Sequence, residues 1–436
     1  METIYIVIVA FLLILAVFDL FVGVSNDAVN FLQSAIGAKA ARFRTVLIVA
    51  SVGVAVGAMM SAGMMDVARH GIMHPVNYSF HEVMVVFLAV MVTDVIILDV
   101  FNTLGLPTST TVSLVFELLG GTFILALVKM AGDPTLELSD LLNSDKALSV
   151  IVAIFVSVAI AFVCGVLVQW LSRIIFTFRT KNHKVAESVF GGISFAILAY
   201  FVFIKGLSKS PLFAADAKAW IDANTTMLLG AVFAAATLLS YLLLLMRVSV
   251  FRLVVLMGTF ALAMAFAGND LVNFIGVPLA GLSSYQDWVS HGAGNVDTFM
   301  MGSLMESAKS PFLYLMIAGG IMIFAMATSK KAQNVVKTSV DLSRQDESDE
   351  MFGTSRAARS IVRATQECGQ FLVRYLPKGM MQRIDSRFNK EEVVLKDGAA
   401  FDMVRAAVNL VLASVLIVIG TNFKLPLSTT YVTFMV

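Results

Sequence analysis

Apolar runs recur along this chain, and they constrain its fold more than any other feature. Ile4 to Val17, Val150 to Val168 and Met227 to Met246 are the clearest. A run of roughly 20 apolar residues is the length that crosses a bilayer core as a helix. Candidate spans fall at about 3–24, 45–65, 80–103, 108–130, 147–177, 186–206, 226–246, 252–267, 311–328 and 399–420. They predict an all-α polytopic membrane protein, of about 10–12 spans once broken and re-entrant helices are allowed for. Charge agrees, because Asp, Glu, Lys and Arg make up 14% of the 436 residues, too little to cover a soluble domain of this size.

The first span differs from a secretory signal. Glu2 is the only charged residue before Asp19, and no small-residue cleavage site follows, so the span reads as a retained helix. Basic clusters at Arg42 and Arg44, Arg173 to Lys184 and Arg247 to Arg252 mark links expected on the cytoplasmic side. The net charge of +1 points to no nucleic-acid partner, and Cys164 and Cys368 match neither a metal spacing nor a disulfide framework. Segment 329–398 carries 13 Lys/Arg and 10 Asp/Glu and no apolar run, and reads as a polar cytoplasmic insertion, helical around Ser355 to Leu376. Only ten residues follow Pro426, too few to cross a bilayer at about 1.5 Å per residue, so the second half is expected to be incomplete.

Two polar motifs are duplicated. Asn26-Asp27-Ala28-Val29-Asn30-Phe31 recurs as Asn269-Asp270-Leu271-Val272-Asn273-Phe274. Leu106-Pro107-Thr108-Ser109-Thr110-Thr111 recurs as Leu425-Pro426-Leu427-Ser428-Thr429-Thr430, in the same order relative to the first motif. The organisation read from this is a first transmembrane repeat over 1–180, connecting helices over 181–250, a second repeat over 251–328 and 399–436, and the insertion between its parts.

Each motif interrupts an apolar run. Gly before the Asn-Asp motif allows a helix to break, and Asn and Asp cap the helix that restarts. Pro107 and Pro426 suit the first turn of a new helix. The hydroxyls of Ser109, Thr110, Thr111, Ser428, Thr429 and Thr430 would then lie at helix N-termini, where N–H groups and the dipole favour an anion. Hydroxyls can satisfy a tetrahedral oxyanion without a fixed positive charge. Asp27 and Asp270 are a different matter, since an unpaired carboxylate at membrane depth is costly and repels an anion. Cations between them resolve the conflict, and Asn26, Asp27, Asn30, Asn269, Asp270 and Asn273 offer the oxygen ligands a hard monovalent cation prefers. Broken helices from two repeats that meet at midplane are a recurrent transporter design.

On these residues the chain resembles the inorganic phosphate transporter (PiT) family, whose halves each carry a Gly-x-Asn-Asp-x-x-Asn and a Pro-x-Ser-Thr-Thr element. The resemblance covers the chain apart from 329–398. It implies inverted-topology repeats and symport of phosphate with Na⁺ or H⁺ in the cell membrane. The phosphate site would be formed by Ser109, Thr110, Thr111, Ser428, Thr429, Thr430, Asp27 and Asp270, with Na⁺, if it is the coupling ion, at Asp27, Asn30, Asp270 and Asn273. A looser match places Asp66 before Arg69-His70-Gly71-Ile72. The chain departs from the family at Val112 and Tyr431, where His is common, at Val24-Ser25, and over 282–310, which carries Asp287, His291, Asp297 and Glu306 and looks like an insertion. No cofactor is expected beyond the coupling ion. The expected partners are phosphate and the lipid bilayer, with a homodimer left open.

Asp94, Asp99 and Asn102 in the third span and Glu117 in the fourth stand as candidate cavity residues or as pairs across the bundle, and His70, His74 and His81 flank a loop. A sulfate permease of the same fold is the alternative. A channel fits two-fold pseudosymmetry poorly, and no His-Asp pairing, metal-ligand cluster or Gly-rich phosphate loop with Lys supports an enzyme.

Overall fold

The computed structural model describes residues 2–61, 71–176, 184–200, 215–292, 295–305, 312–345, 355–373, 388, 398–422 and 428–436. It is helical throughout, and its strand-like pairing among these residues is limited to isolated bridges, Met73 with Leu142 and Ser79 with Met300. The helices of the first half are α1 (Glu2–Asp27), α2 (Val29–Gly37), α3 (Phe43–Met60), α4 (Phe80–Leu104), α5 (Thr110–Gly132), α6 (Leu138–Leu141) and α7 (Ser144–Phe176). Then follow α8 (Lys184–Ala199), α9 (Ala215–Ala223), α10 (Thr225–Leu245), α11 (Val250–His291), α12 (Phe312–Thr328), α13 (Lys330–Leu342), α14 (Arg356–Val373), α15 (Met403–Asn422) and α16 (Thr429–Met435). Among the described residues eight helices are long and apolar enough to cross a membrane, or nine if α12 and α13, bent by 68°, form one broken span. Of the expected spans 186–206 and 311–328, the described residues hold α8 and α12, and residues 201–206 and 311 lie outside them.

Helix α11 is the centre of the bundle. Its 42 residues pack against α1, α2, α3, α4, α8 and α15. The tightest crossing is with α3, where Gly53 and Gly57 lie one turn apart on the same face. A Cβ on Gly53 would lie 2.5 Å from the Phe260 carbonyl oxygen, and one on Gly57 only 2.2 Å from that of Met264. Small residues four apart let two helix backbones touch, the usual basis of helix association in lipid, where apolar burial gives little drive. Gly23 has the same role between α1 and α11, since a Cβ there would meet the Phe274 ring at 2.1 Å.

The structure corrects two local expectations. Helices do not break at the Asn-Asp motif. Ala28 between α1 and α2 keeps right-handed helical angles, with its N–H donating to the Val24 carbonyl and its own carbonyl accepting from Leu32, and α11 runs unbroken through Asn269 to Phe274. The reason is that partners on other helices hold the Asn and Asp side chains, which therefore do not turn back to cap their own helix. Pro107 also lies outside the first turn of a helix. Ser109 is the N-cap of α5, its Oγ accepting from the Val112 N–H at 3.3 Å, which leaves Pro107 in the extended lead-in.

Other segments are placed as follows. Residues 282–291 continue α11 and Met300 pairs with Ser79, so the described parts of this stretch lie against the start of α4, with Trp288 stacked on Phe80 at 5.0 Å. Glu306, Asp66, Arg69, His70, Leu425, Pro426 and Leu427 lie outside the described residues. In the polar segment after Thr328, α13 packs its buried Ala332, Val335, Val336 and Ser339 against α1, α2 and α4. Ser25 donates to Ser329 at 2.8 Å, Ser339 donates to Gln33, and Lys331 pairs with Asp99 at 2.6 Å.

Candidate anion and cation site

The four copies of the two motifs meet at one buried point. Ser109 caps α5 and Ser428 caps α16, its Oγ accepting from the Tyr431 N–H at 3.0 Å. The two caps touch, Ser428 Oγ donating to Ser109 Oγ at 2.7 Å. The threonines that follow these caps reach two carboxylates, Asp27 and Asp270, both buried.

The hydrogen bonds around them exchange the halves consistently. Thr110 donates to Asp27 Oδ2 at 2.8 Å, and its counterpart Thr429 donates to Asp270 Oδ2 at 2.6 Å. Thr430 crosses over to donate to Asp27 Oδ1 at 2.9 Å, and its counterpart Thr111 crosses to Asp270 Oδ1 at 3.3 Å. Asn30 donates to Thr430 Oγ1 at 2.9 Å, and Asn273 donates to Thr111 Oγ1 at 2.9 Å. Each asparagine also reaches the carboxylate three residues before it, at 3.5 Å for Asn30 and 3.4 Å for Asn273. So each carboxylate accepts one threonine hydroxyl from its own half and one from the other.

The two carboxyl groups are acceptors held by neutral donors alone. Among the described residues no lysine or arginine donates to Asp27 or Asp270. Four threonine hydroxyls, two asparagine amides and two carboxylates form a polar island inside the bundle, where every member's bond is strengthened by the low dielectric and every unmade bond is costly. Oxygen ligands of this kind, carboxylate, amide carbonyl and hydroxyl, suit a hard cation, and the hydroxyls suit an oxyanion.

Asn26 sits elsewhere than its motif partners. Its amide donates to Asn102 Oδ1 at 2.8 Å and to the Leu106 carbonyl at 3.0 Å, and its Oδ1 accepts from the Thr108 N–H at 2.7 Å. Asn102 in turn donates to the Val22 carbonyl at 2.7 Å. Asn26 thus clamps the lead-in to α5 and sets where Ser109, Thr110 and Thr111 lie. Asn269 is half-buried on α11; the loop that would answer to 106–108 in the second half, 423–427, is outside the described residues.

The structure adds Thr433, whose hydroxyl donates to Asn30 Oδ1 at 3.1 Å, one helical turn after Thr430. That spacing was the signal for it in the sequence. Asp99 is taken by Lys331, Asn102 supports Asn26, and Glu117 lines a mostly apolar groove of about 500 Å³, with Val90, Ile97, Val112 and Phe116 beside Thr93 and Ser113.

No curated protein sequence matches the chain. The solved structure of a sodium-dependent phosphate transporter has a similar fold, with a TM-score of 0.65 at 16% identity over 98% of this chain and 88% of that one. The model of the phosphate transporter family matches residues 23–338, a stretch that holds both Asn-Asp motifs and the first Ser-Thr-Thr. With that match spanning most of its length, the chain belongs to the phosphate transporter family, and is a multi-pass membrane transporter of phosphate rather than an enzyme.

Proposed function

We propose that this chain is a secondary transporter of the cell membrane that carries inorganic phosphate by symport with a cation, using two inverted repeats that share one central site. The observation that carries the reading is the exchange pattern of the threonines. Each of Thr110, Thr111, Thr429 and Thr430 has a single hydroxyl proton, and in this structure each gives it to Asp27 or Asp270. When a tetrahedral oxyanion enters, the same protons turn to it. Both carboxylates are then left buried with fewer donors, beside an anion of roughly one to two negative charges at neutral pH. That arrangement is prohibitive unless cations replace the lost donors.

Asp27 with Asn30, and Asp270 with Asn273, are the two seats for those cations, and Na⁺ fits their oxygen ligands. Asn26 positions the hydroxyls. The transported pair therefore binds together because each partner repairs what the other disrupts. Phosphate is favoured over sulfate by the same inventory, since a protonated phosphate oxygen can donate to a carboxylate and sulfate at neutral pH has no proton to give.

The test is uptake of radiolabelled phosphate into proteoliposomes under an inward Na⁺ or H⁺ gradient. Uptake against its own gradient is expected, with sulfate a poor competitor, and Asp27→Asn or Asp270→Asn should abolish it. Undiminished uptake in both variants, or a preference for sulfate, would overturn the reading.

A further inference from the structure

A second group of carboxyls lies away from the central site. Asp19 on α1, Asp94 on α4 and Glu117 on α5 are 75 and 23 residues apart in sequence, yet the bundle sets them side by side, with Asp94 between the other two and next to Ser113. Asp19 and Asp94 are both 0% exposed; their four carboxylate oxygens receive no well-formed hydrogen bond, and the polar groups beside Asp94 are Ser113 and the other two acids. Glu117 Oε1 accepts from Ser113 at 2.7 Å, while Oε2 is also unpartnered. A buried polar atom without a partner is rare and needs an explanation, and five such oxygens in one place need one more.

Among the described residues no counter-charge supplies it. The charged groups that act on the trio are its own members and Asp27, none of them basic. Of the helices packed against α1, α4 and α5, α13 brings Lys331, which is taken by Asp99, exposed Lys330 and Lys337, and Asp341, which pairs with Arg344; α11 brings Asp270, which is held by Thr111 and Thr429, exposed Arg252, and Asp287 and His291, which pair with each other. α6 brings Asp140, which accepts from its own Glu137 N–H, and α12 brings no charged residue. Lys129 pairs with Glu82, about 18 Å along α4 from Asp94 at 1.5 Å per residue. Nor do the three carboxyls converge as a metal-ligand cluster. Three ionised carboxylates here would each carry a desolvation penalty of several kcal/mol and repel one another. A proton removes both costs and needs no coordination shell.

The trio also has an opening. Half-buried Glu117 lines the groove between α4 and α5, whose wall is thinned by Gly120 and Gly121. At the other end, Asp19 precedes Asp27 by eight residues on one helix, about 12 Å. We propose that Asp19, Asp94 and Glu117 form a proton-binding station, entered from the groove at Glu117 and separate from the cation seats at Asp27 and Asp270, whose occupancy couples proton movement to phosphate transport. It rests on the symport reading above. A loaded station is neutral and lets an anion approach Asp27, and an emptied one places negative charge behind it.

The experiment compares wild type with Asp94→Asn and Glu117→Gln in proteoliposomes that enclose a pH-sensitive dye. Labelled phosphate influx and proton influx are measured together at a fixed inward Na⁺ gradient, with and without an inward pH gradient. Equilibrium binding of labelled phosphate to the purified proteins shows that each variant is folded with its site intact; Glu117→Gln, at the half-buried rim, serves if Asp94→Asn fails that control. The expected result is that the variants bind phosphate as wild type does, while the protons entering per phosphate fall and acceleration by the pH gradient is lost. A wild-type proton-to-phosphate ratio in a variant that binds phosphate overturns the station and leaves the symport reading standing. So does a wild type whose influx ignores the pH gradient. A wild type that neither binds nor carries phosphate overturns both.

Discussion

Thr430→Val isolates the donor exchange. Valine keeps the shape of threonine, so no cavity opens, and the change removes one proton donated to Asp27 Oδ1 and one acceptor used by Asn30. In the free protein that proton stabilises Asp27, and a hydrogen bond to a charged group contributes about 1.5–3 kcal/mol. With only the cation bound, Asp27 has a replacement and the hydroxyl is spare. With only phosphate bound, the hydroxyl serves the anion and Asp27 goes without. With both bound, each interaction is made. Summed round this cycle, the terms for cation and phosphate cancel, and what remains is the hydroxyl–carboxylate bond of the free protein. That bond is the contribution of Thr430 to the coupling between the two ligands.

Thr430→Val should therefore reduce the factor by which phosphate tightens cation binding by about 10- to 150-fold, at 1.4 kcal/mol per decade. It should also tighten cation binding in the absence of phosphate, because the competitor for Asp27 is gone. Titration calorimetry of Na⁺ into purified protein, with and without saturating phosphate, gives both numbers. A mutant that weakens phosphate binding yet keeps the wild-type coupling factor would refute the reasoning, because the hydroxyl would then not be shared between carboxylate and substrate.

Three further outcomes follow from the fold. Gly57→Leu drives a side chain into the Met264 carbonyl at the α3–α11 crossing, and overpacking of this kind costs typically about 1–3 kcal/mol or more; size-exclusion profiles and melting in detergent should show a less stable protein. Asn26→Ala strips partners from the Thr108 N–H and from Asn102, each worth about 1–3 kcal/mol when left buried. It should lower phosphate affinity and melting temperature together while the Na⁺ affinity measured without phosphate stays near wild type. Lys129→Met breaks the partly exposed pair with Glu82, and because such pairs contribute about 0–1 kcal/mol, melting should hardly move.

What was legible in the sequence was whatever a residue's type and spacing decide alone. Apolar runs fixed the class of fold, and two duplicated polar motifs fixed which hydroxyls and carboxylates meet, since a polar group at membrane depth must find a partner and a repeated one finds it by symmetry. The helix through Asn26 and Asn269 was not legible, because local propensity favours capping and only the neighbouring lead-in at Leu106 and Thr108 supplies a better use for the Asn26 amide. Burial of α13 was hidden by its lysines, although Ala332, Val335, Val336 and Ser339 repeat at helical spacing. Nor do spacing or residue type say that Thr110 serves its own half and Thr111 the other. Successive residues at a helix start point in directions roughly 100° apart, so with two helix starts facing each other one threonine must look back to its own carboxylate and the next across to the partner's. The crossing makes the site indivisible. A single half could hold its carboxylate with one hydroxyl, whereas in the joined halves each carboxylate takes one donor from either half, and on the proposed symport reading an entering anion must draw both away.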